Sequence, residues 1–307
     1  MGILARGSSA VAYDHIARAW LARSWALILA TAAFALAIGP AGRAVGAAPT
    51  DATSSTEARE EATRKIPWSR LPEAQRRDVE FVVKNTSIYR RLPTRVLDCD
   101  PDLFSFLLRR PDVIVNVWQL MGISRVSLER MSDQQFRGND GAGTSGSVGY
   151  VYADWGPEAR NLAVIYADGA YDGKPFLTPL RAQTVVLFQS GAVQETDGRR
   201  YVTVRVDSFV HIDKVGVELI AKTVQPWIAK TADENFMETV DFLSTFSRTA
   251  ERNPQGMRRL AAKLQGVDEP TRGELVRLCF QTSQRYAADE PLRVDEPVVL
   301  AQQEAGH

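Results

Sequence analysis

Six runs of alternating apolar and polar residues between residues 124 and 212 restrict the folds open to this chain. Short turn segments such as Asp140-Gly141 separate the runs. Strands at this spacing are typical of antiparallel hairpins, and the alternation gives such a sheet one buried face. The last run is the most regular, with one apolar side formed by Val202, Val204, Val206, Ser208, Val210 and Ile212. The sequence therefore predicts an antiparallel meander whose opposite face is mostly polar and meets solvent.

Helical patterns lie on both sides of these strands. Asp100 can accept hydrogen bonds from the first free amides of a helix, and Pro101 suits its first position. A second short helix begins at Pro111 and ends at Gly122. Further upstream, residues 72–84 predict a helix and residues 86–91 a strand.

Downstream of the strands, the pattern predicts a long helix over residues 214–249, interrupted before Pro226 because proline removes a backbone donor. Phe236, Val240, Leu243 and Phe246 form its apolar stripe, with Met237 and Phe242 beside them. Residues 254–264 and 271–287 predict two more short helices, and residues 289–307 a flexible polar tail. The fold class is α+β.

The first 47 residues have the pattern of an export signal. Residues 25–39 carry no charge and follow Arg6, Arg18 and Arg23. This run is shorter than the ~20 apolar residues that span a bilayer, which favours a signal cleaved after Ala47 and an exported product, periplasmic or secreted. An uncleaved signal anchor stays open as the alternative. It would be the protein's sole link to a membrane.

Composition divides the remaining chain and excludes one partner class. Residues 48–65 contain no apolar side chain larger than alanine, which predicts a disordered linker. Residues 66–252 then form the α+β domain, and residues 253–288 a C-terminal helical extension. The chain has 37 basic and 37 acidic residues. Such a balance does not favour nucleic acid as a partner, because counterion release needs a basic surface.

Several patterns that could indicate cofactors or metals have simpler explanations. The glycines from Gly141 to Gly146 match a dinucleotide-binding pattern, but a strand follows them where a helix is required, so a hairpin loop is expected. Asp98, Asp100 and Asp102 alternate like calcium ligands, yet Leu103 replaces the required glycine. The scarcity of histidine and cysteine argues against zinc. We expect no cofactor, no metal site and no catalytic set.

His211 is the one non-terminal histidine left after the signal. It shares a strand face with Arg205 and Asp207, whose charges could tune its pKa. The expected role is a surface or strand-end position, with catalysis and a pH-sensitive contact as alternatives.

Cys99 and Cys279 are the only cysteines. In an exported chain an even number suggests a disulfide, which would tie the first strand–helix junction to the last helix. Free buried thiols are the alternative, because Cys279 lies among apolar residues of a helix.

The order of these elements resembles the START-like helix-grip superfamily. The matching segments are PDLFSFLLRR, PDVIVNVWQLMG, RRYVTVRVDSFVHI and AKTADENFMETVDFLSTF, within residues 86–249. The resemblance implies a sheet of about seven strands that wraps the long helix and encloses an apolar cavity. It thus implies a hydrophobic small molecule or lipid as ligand. The cavity candidates are Trp118, Phe188, Val204, Phe236, Met237, Val240 and Leu243.

Three functions remain open from the sequence. The first is an exported, non-enzymatic binder of a hydrophobic molecule. The second is a structural or interaction protein without a cavity, whose partner the sequence does not identify. The third is a cyclase or hydratase type of enzyme, which requires His211, Asp207 or Arg205 to point into a cavity.

Overall fold

The computed structural model describes residues 51–173, 178–196, 198–213 and 225–287. They form an α+β fold, which confirms the predicted class. The helices are α1 (Thr56–Lys65), α2 (Glu73–Lys84), α3 (Pro101–Arg109), α4 (Pro111–Leu120), α5 (Gln225–Arg252), α6 (Pro254–Ala261) and α7 (Glu269–Ala287), with a 3₁₀ turn at Trp68–Arg70.

The strands form one antiparallel sheet. They are β1 (Ile88–Arg91), β2 (Arg95–Leu97), β3 (Ser127–Arg130), β4 (Gln135–Asn139), β5 (Thr144–Trp155), β6 (Asn161–Tyr171), β7 (Leu180–Gln194) and β8 (Arg200–Ile212). Their order is β1-β8-β7-β6-β5-β4-β3, and β2 also pairs with β8. The six predicted strands are therefore confirmed, and so is the strand predicted over residues 86–91, which is β1. The short strand β2 was not predicted.

Local sequence signals explain how α3 and α4 begin. The side chain of Asp100 accepts hydrogen bonds from the backbone N–H groups of Asp102 and Leu103 at 3.0 and 3.1 Å. Pro101 and Pro111 each occupy a first helical turn, where a missing N–H costs nothing. The predicted cap and both predicted starts are thus confirmed.

The main core lies between the inner face of the sheet and the helices. Phe236, Val240 and Leu243 of α5 share this core with Val186 and Val204 of the sheet. The last two helices and the connection between them belong to the same core, through Met257, Leu264, Leu275, Leu278 and Cys279. The two short helices predicted over residues 254–264 and 271–287 are therefore confirmed as α6 and α7, and they pack against the same core as the sheet.

The prediction of a disordered linker over residues 48–65 is wrong, because residues 56–65 form helix α1. The Ser55 side chain accepts a hydrogen bond from the N–H of Ala58 at 3.2 Å and caps the helix. Ala58 and Ala62 are buried. Alanine is the strongest helix former and lets a helix pack closely. The charged side chains Arg59 and Glu61 provide further contacts of α1, and a search for large apolar residues cannot detect them.

The prediction that the outer face of the sheet meets solvent is also wrong. Phe209, Leu187 and Val185 are fully buried on that face, in a second apolar cluster with Val79 and Val82 of α2. Helices α1 and α2 cover the middle of the sheet on this side. The sequence of β8 does not indicate this second core, because Phe209 is flanked by polar residues on its own face of the strand.

Three predicted segments fall outside the described residues. They are the N-terminal signal, the first part of the long helix before residue 225, and the tail from residue 289. Within the described part of the chain, no helix combines the length and the apolar character that crossing a membrane requires.

Candidate functional site

A small apolar cavity lies between α5 and the inner face of the sheet. Its volume is about 30 Å³, and its walls include Phe236, Thr239, Val240 and Leu243 of α5. Thr239 is the one polar residue among those that line it. A cavity of this size has room for roughly one water molecule, but apolar walls give such a water few partners.

Five of the seven residues predicted to line a cavity do so, namely Phe188, Val204, Phe236, Val240 and Leu243. Trp118 and Met237 do not line it. The ring of Trp118 makes an edge contact with Phe242 at a centroid distance of 5.5 Å. The sulfur of Met237 lies 2.9 Å from Nε of Arg95. Successive helical residues point about 100° apart, so Met237 turns away from the cavity that Phe236 enters.

The sequence did not predict that α3 and α4 also line the cavity. Phe104, Leu107 and Leu108 of α3 and Ile114 of α4 contribute to its walls. Both helices were predicted, and nearly every residue of α3 is buried. A helix that is apolar on most sides does not indicate which side meets the sheet.

A charged network holds α1 on the outer face. Asp207 is fully buried and accepts hydrogen bonds from the Tyr89 hydroxyl at 2.6 Å and from Nε of Arg91 at 2.7 Å. Nε of Arg205 lies 3.3 Å from its other oxygen. Burial and the bond to Asp207 raise the pKa of Tyr89 far above its ordinary value. Arg91 and Arg205 also contact Glu61 of α1, at 2.9 and 3.0 Å.

This network shows the positions of Asp207 and Arg205, two of the residues that the cyclase or hydratase hypothesis would use. Asp207 and Arg205 face α1 on the outer side of the sheet, whereas the cavity is on the inner side. Asp207 and Arg205 therefore do not meet the requirement of the third hypothesis that they point into a cavity. The network cross-links β1, β8 and α1.

His211 lies at the end of β8, on the same outer face. Its Nδ1 is 2.7 Å from the backbone oxygen of Asn85, and its Nε2 is 3.3 Å from Asp213. The ring of Phe81 packs edge-on against it at 4.9 Å. His211 thus joins the C-terminal end of α2 to the strand, which agrees with the predicted strand-end position.

The structure has both cysteines as free, buried thiols, so the alternative to the disulfide holds. Burial raises the pKa of Cys99 strongly and that of Cys279 to about 12. Such thiols carry almost no thiolate at neutral pH and are poor nucleophiles.

The described residues contain no cluster of histidine, cysteine or carboxylate side chains suited to a metal ion. Asp98 forms an ion pair with Arg199 at 2.6 Å, and Asp100 caps α3. Gly141 and Gly143 lie in the hairpin between β4 and β5 and have positive φ angles, as predicted for a turn.

A polar groove runs over the surface between strands β3 and β5 and the helices. It comprises three adjoining hollows of about 440, 310 and 280 Å³. The first two share Arg110, Arg130 and Asp133, and the second and third share Arg109 and Glu274. The first hollow follows the whole of strand β3. No pattern in the sequence predicted this groove, because its walls come from distant segments.

Comparison with known families and with curated proteins finds no match to this chain.

Proposed function

We propose that this protein is an exported, non-enzymatic carrier that binds a hydrophobic small molecule or an acyl chain between the sheet and helix α5. The observation that carries the proposal is the apolar cavity at this interface. Four α5 residues and the inner strands line it, and Thr239 is its one polar residue. The layout of sheet, helix and cavity is also what the START-like helix-grip resemblance implies.

The volume of the cavity sets a condition on this proposal. Ligand pockets usually enclose roughly 300 to 1,000 Å³, whereas this cavity encloses about 30 Å³. On this proposal, the structure is the closed state of the carrier. A ligand would enter only if α5 moved away from the sheet and separated Phe236 and Val240 from Val204.

Mass spectrometry of the protein from an export-competent host tests this function. Native and denaturing spectra of one sample are compared. Export predicts a polypeptide mass that begins near Ala48, and carriage of a ligand predicts a small molecule that is lost on denaturation. Val240→Phe should fill the site and abolish the adduct, while Thr245→Phe on the exposed side of α5 should keep it. If the native spectrum of the folded wild type showed no bound small molecule, the carrier proposal would be contradicted.

The small volume favours a second candidate, an interaction or structural protein. Helices cover the middle of the sheet on both faces, and the core between the sheet and α5 is almost filled. In that case no small molecule copurifies, and Val240→Phe acts only through overpacking, which lowers stability by about 1 to 3 kcal/mol. The same two spectra and a thermal melt therefore separate the candidates.

A further inference from the structure

The C-terminal part of α5 is fixed to three other segments by hydrogen bonds. The N–H of Asp100 donates to Oγ of Ser247 at 2.9 Å, and Ser247 is fully buried. The Glu251 carboxylate accepts from Nη2 of Arg199 at 3.0 and 3.2 Å, and the Glu251 carbonyl accepts from the Ser283 hydroxyl at 2.7 Å. These bonds tie this end of α5 to the start of α3, to the turn before β8 and to α7.

The first half of α5 meets the sheet through a bidentate ion pair. Nε of Arg90 in β1 donates to Oδ1 of Asp233 at 3.0 Å, and its Nη2 contacts Oδ2 of the same carboxylate. The two side chains are 21% and 25% exposed, so water screens the pair only in part. Two parallel bonds to one carboxylate make a strong arginine ion pair. The nearby contact between Nε of Arg95 and the sulfur of Met237 is weaker, because a thioether is a poor acceptor.

The Arg90–Asp233 pair lies beside one end of the apolar cavity. Arg90 is two residues after Ile88, which belongs to the main core, so both point to the inner face of the sheet. Asp233 is one helical turn before Phe236, and Arg90 is two residues before Leu92. Phe236 and Leu92 both line the cavity. The pair therefore joins α5 to the sheet next to the residues that a ligand would have to separate.

We propose that the Arg90–Asp233 pair is a latch, and that its release lets α5 tilt about Ser247 and open the cavity. This inference rests on the proposed function and specifies the movement that admits a ligand. At 1.5 Å per residue, Phe236 lies about 16 Å along the helix from Ser247, so a tilt of about 20° would carry it about 6 Å from the sheet. Such a tilt breaks the ion pair and apolar contacts around an existing cavity. Movement of the other end would instead break the bonds of Ser247 and Glu251.

Native-state hydrogen exchange of the wild type tests where the pivot lies. Local opening exposes the amides of the moving part without global unfolding. We expect residues 234–243 to exchange at least about tenfold faster than residues 246–252. Equal protection of the two ranges would overturn the proposal.

Two neighbouring carboxylates of α5 provide a matched test of the latch. Asp233→Asn removes the pair with Arg90, whereas Glu234→Gln removes a pair with Lys230 of the same helix at 3.7 Å. We expect Asp233→Asn to speed exchange of residues 234–243 about tenfold and to leave residues 246–252 unchanged. Glu234→Gln should change neither range. Equal effects of the two variants, or faster exchange along the whole helix in Asp233→Asn, would reject the latch.

A double-mutant cycle shows whether Arg90 and Asp233 act through each other. Arg90→Gln should reproduce the effect of Asp233→Asn, and the combined variant should exchange no faster than either single variant, because all three lack the same contact. Effects that multiply in the combined variant would mean that the two residues act separately, which contradicts the proposal.

Binding of the dye anilinonaphthalene sulfonate separates the latch from the proposed function. The dye fluoresces on apolar surface, so Asp233→Asn should bind it at least about fivefold more than the wild type. Adding Val240→Phe should abolish this gain by filling the cavity. Faster exchange of residues 234–243 without dye binding would support the latch and count against an apolar ligand. Unchanged exchange in Asp233→Asn would overturn the latch even if the wild type carried a small molecule in native mass spectra.

Discussion

Oε2 of Glu61 in α1 lies 2.9 Å from the guanidinium of Arg91 in β1. The same oxygen contacts Arg205 of β8 at 3.0 Å, so one carboxylate connects the first helix with two neighbouring strands. Because α1 buries only Ala58 and Ala62, this charged contact has an unusually large share in holding the helix.

Replacing Glu61 with glutamine should loosen α1. Hydrogen bonds from Arg205, Lys65 and Arg91 hold the pKa of Glu61 well below its usual range. A lowered folded-state pKa adds stability above the unfolded value of roughly 4.3, and that stability disappears as pH falls towards the folded value. Since the side chain is 38% exposed, solvent screening reduces the cost of Glu61→Gln at pH 7 to about 1 kcal/mol.

Urea unfolding from pH 7 down to pH 3 measures this effect. The variant should lose less stability than the wild type as the pH falls, and residues 56–65 should exchange faster. Glu60→Gln is the matched control, because Glu60 makes only a distant, exposed pair with Arg64. Parallel pH curves for wild type and Glu61→Gln would contradict the assignment.

Removing the carboxylate of Asp100 should destabilise the domain more than any surface change nearby. Asp100 is buried, caps α3 and forms an ion pair with Arg285 of α7. Asp100→Ala removes the cap and leaves Arg285 without this partner, so we expect a loss of about 3 kcal/mol. Asp102→Ala changes an exposed partner of the same arginine and should cost under about 1 kcal/mol. Denaturant midpoints of the two variants test the ranking, and equal costs would refute it.

The cavity predicts opposite effects for two core substitutions. Val204→Ile adds one methylene beside about 30 Å³ of empty space and should raise stability by up to about 1 kcal/mol. Leu243→Ala enlarges the same cavity and should cost about 2 to 5 kcal/mol. Val193→Ile, at an exposed position of β7, serves as the neutral control. A destabilised Val204→Ile would show that the cavity does not accept the extra group.

Both thiols should be unreactive in the folded protein. Burial disfavours the thiolates of Cys99 and Cys279, and the thiolate is the reactive form. Iodoacetamide at pH 8 should modify neither residue in native protein and both residues in guanidinium chloride without reductant. Protein that resists alkylation when unfolded, and reacts only after reduction, would instead contain the disulfide.

The sequence predicted those elements whose signal is local. The strands follow from a period of two, and the start of α3 follows from Asp100 and Pro101. The α5 stripe follows from Phe236, Val240 and Leu243, and the same three residues line the cavity.

What the sequence did not predict depends on contacts between distant segments. Helix α1 has no large apolar residue, and its partners Arg91 and Arg205 stand in strands far along the chain. Phe209 alone among polar neighbours gave no sign of a second core. The rotation of Met237 away from the cavity follows from how α5 sits on the sheet, which periodicity alone does not fix.

Strand β8 pairs with β7 on one side and with both β1 and β2 on the other. Tyr89 and Asp207, which bond across this junction, are 118 residues apart in the chain. The consecutive strands from β3 to β7 can pair through hairpins of residues close in the chain. Strands β1 and β2 can pair only once β8, the last strand, has formed. Closing so long a loop is entropically slow. We therefore expect the N-terminal third of the domain to be the last part to become resistant to proteases during refolding.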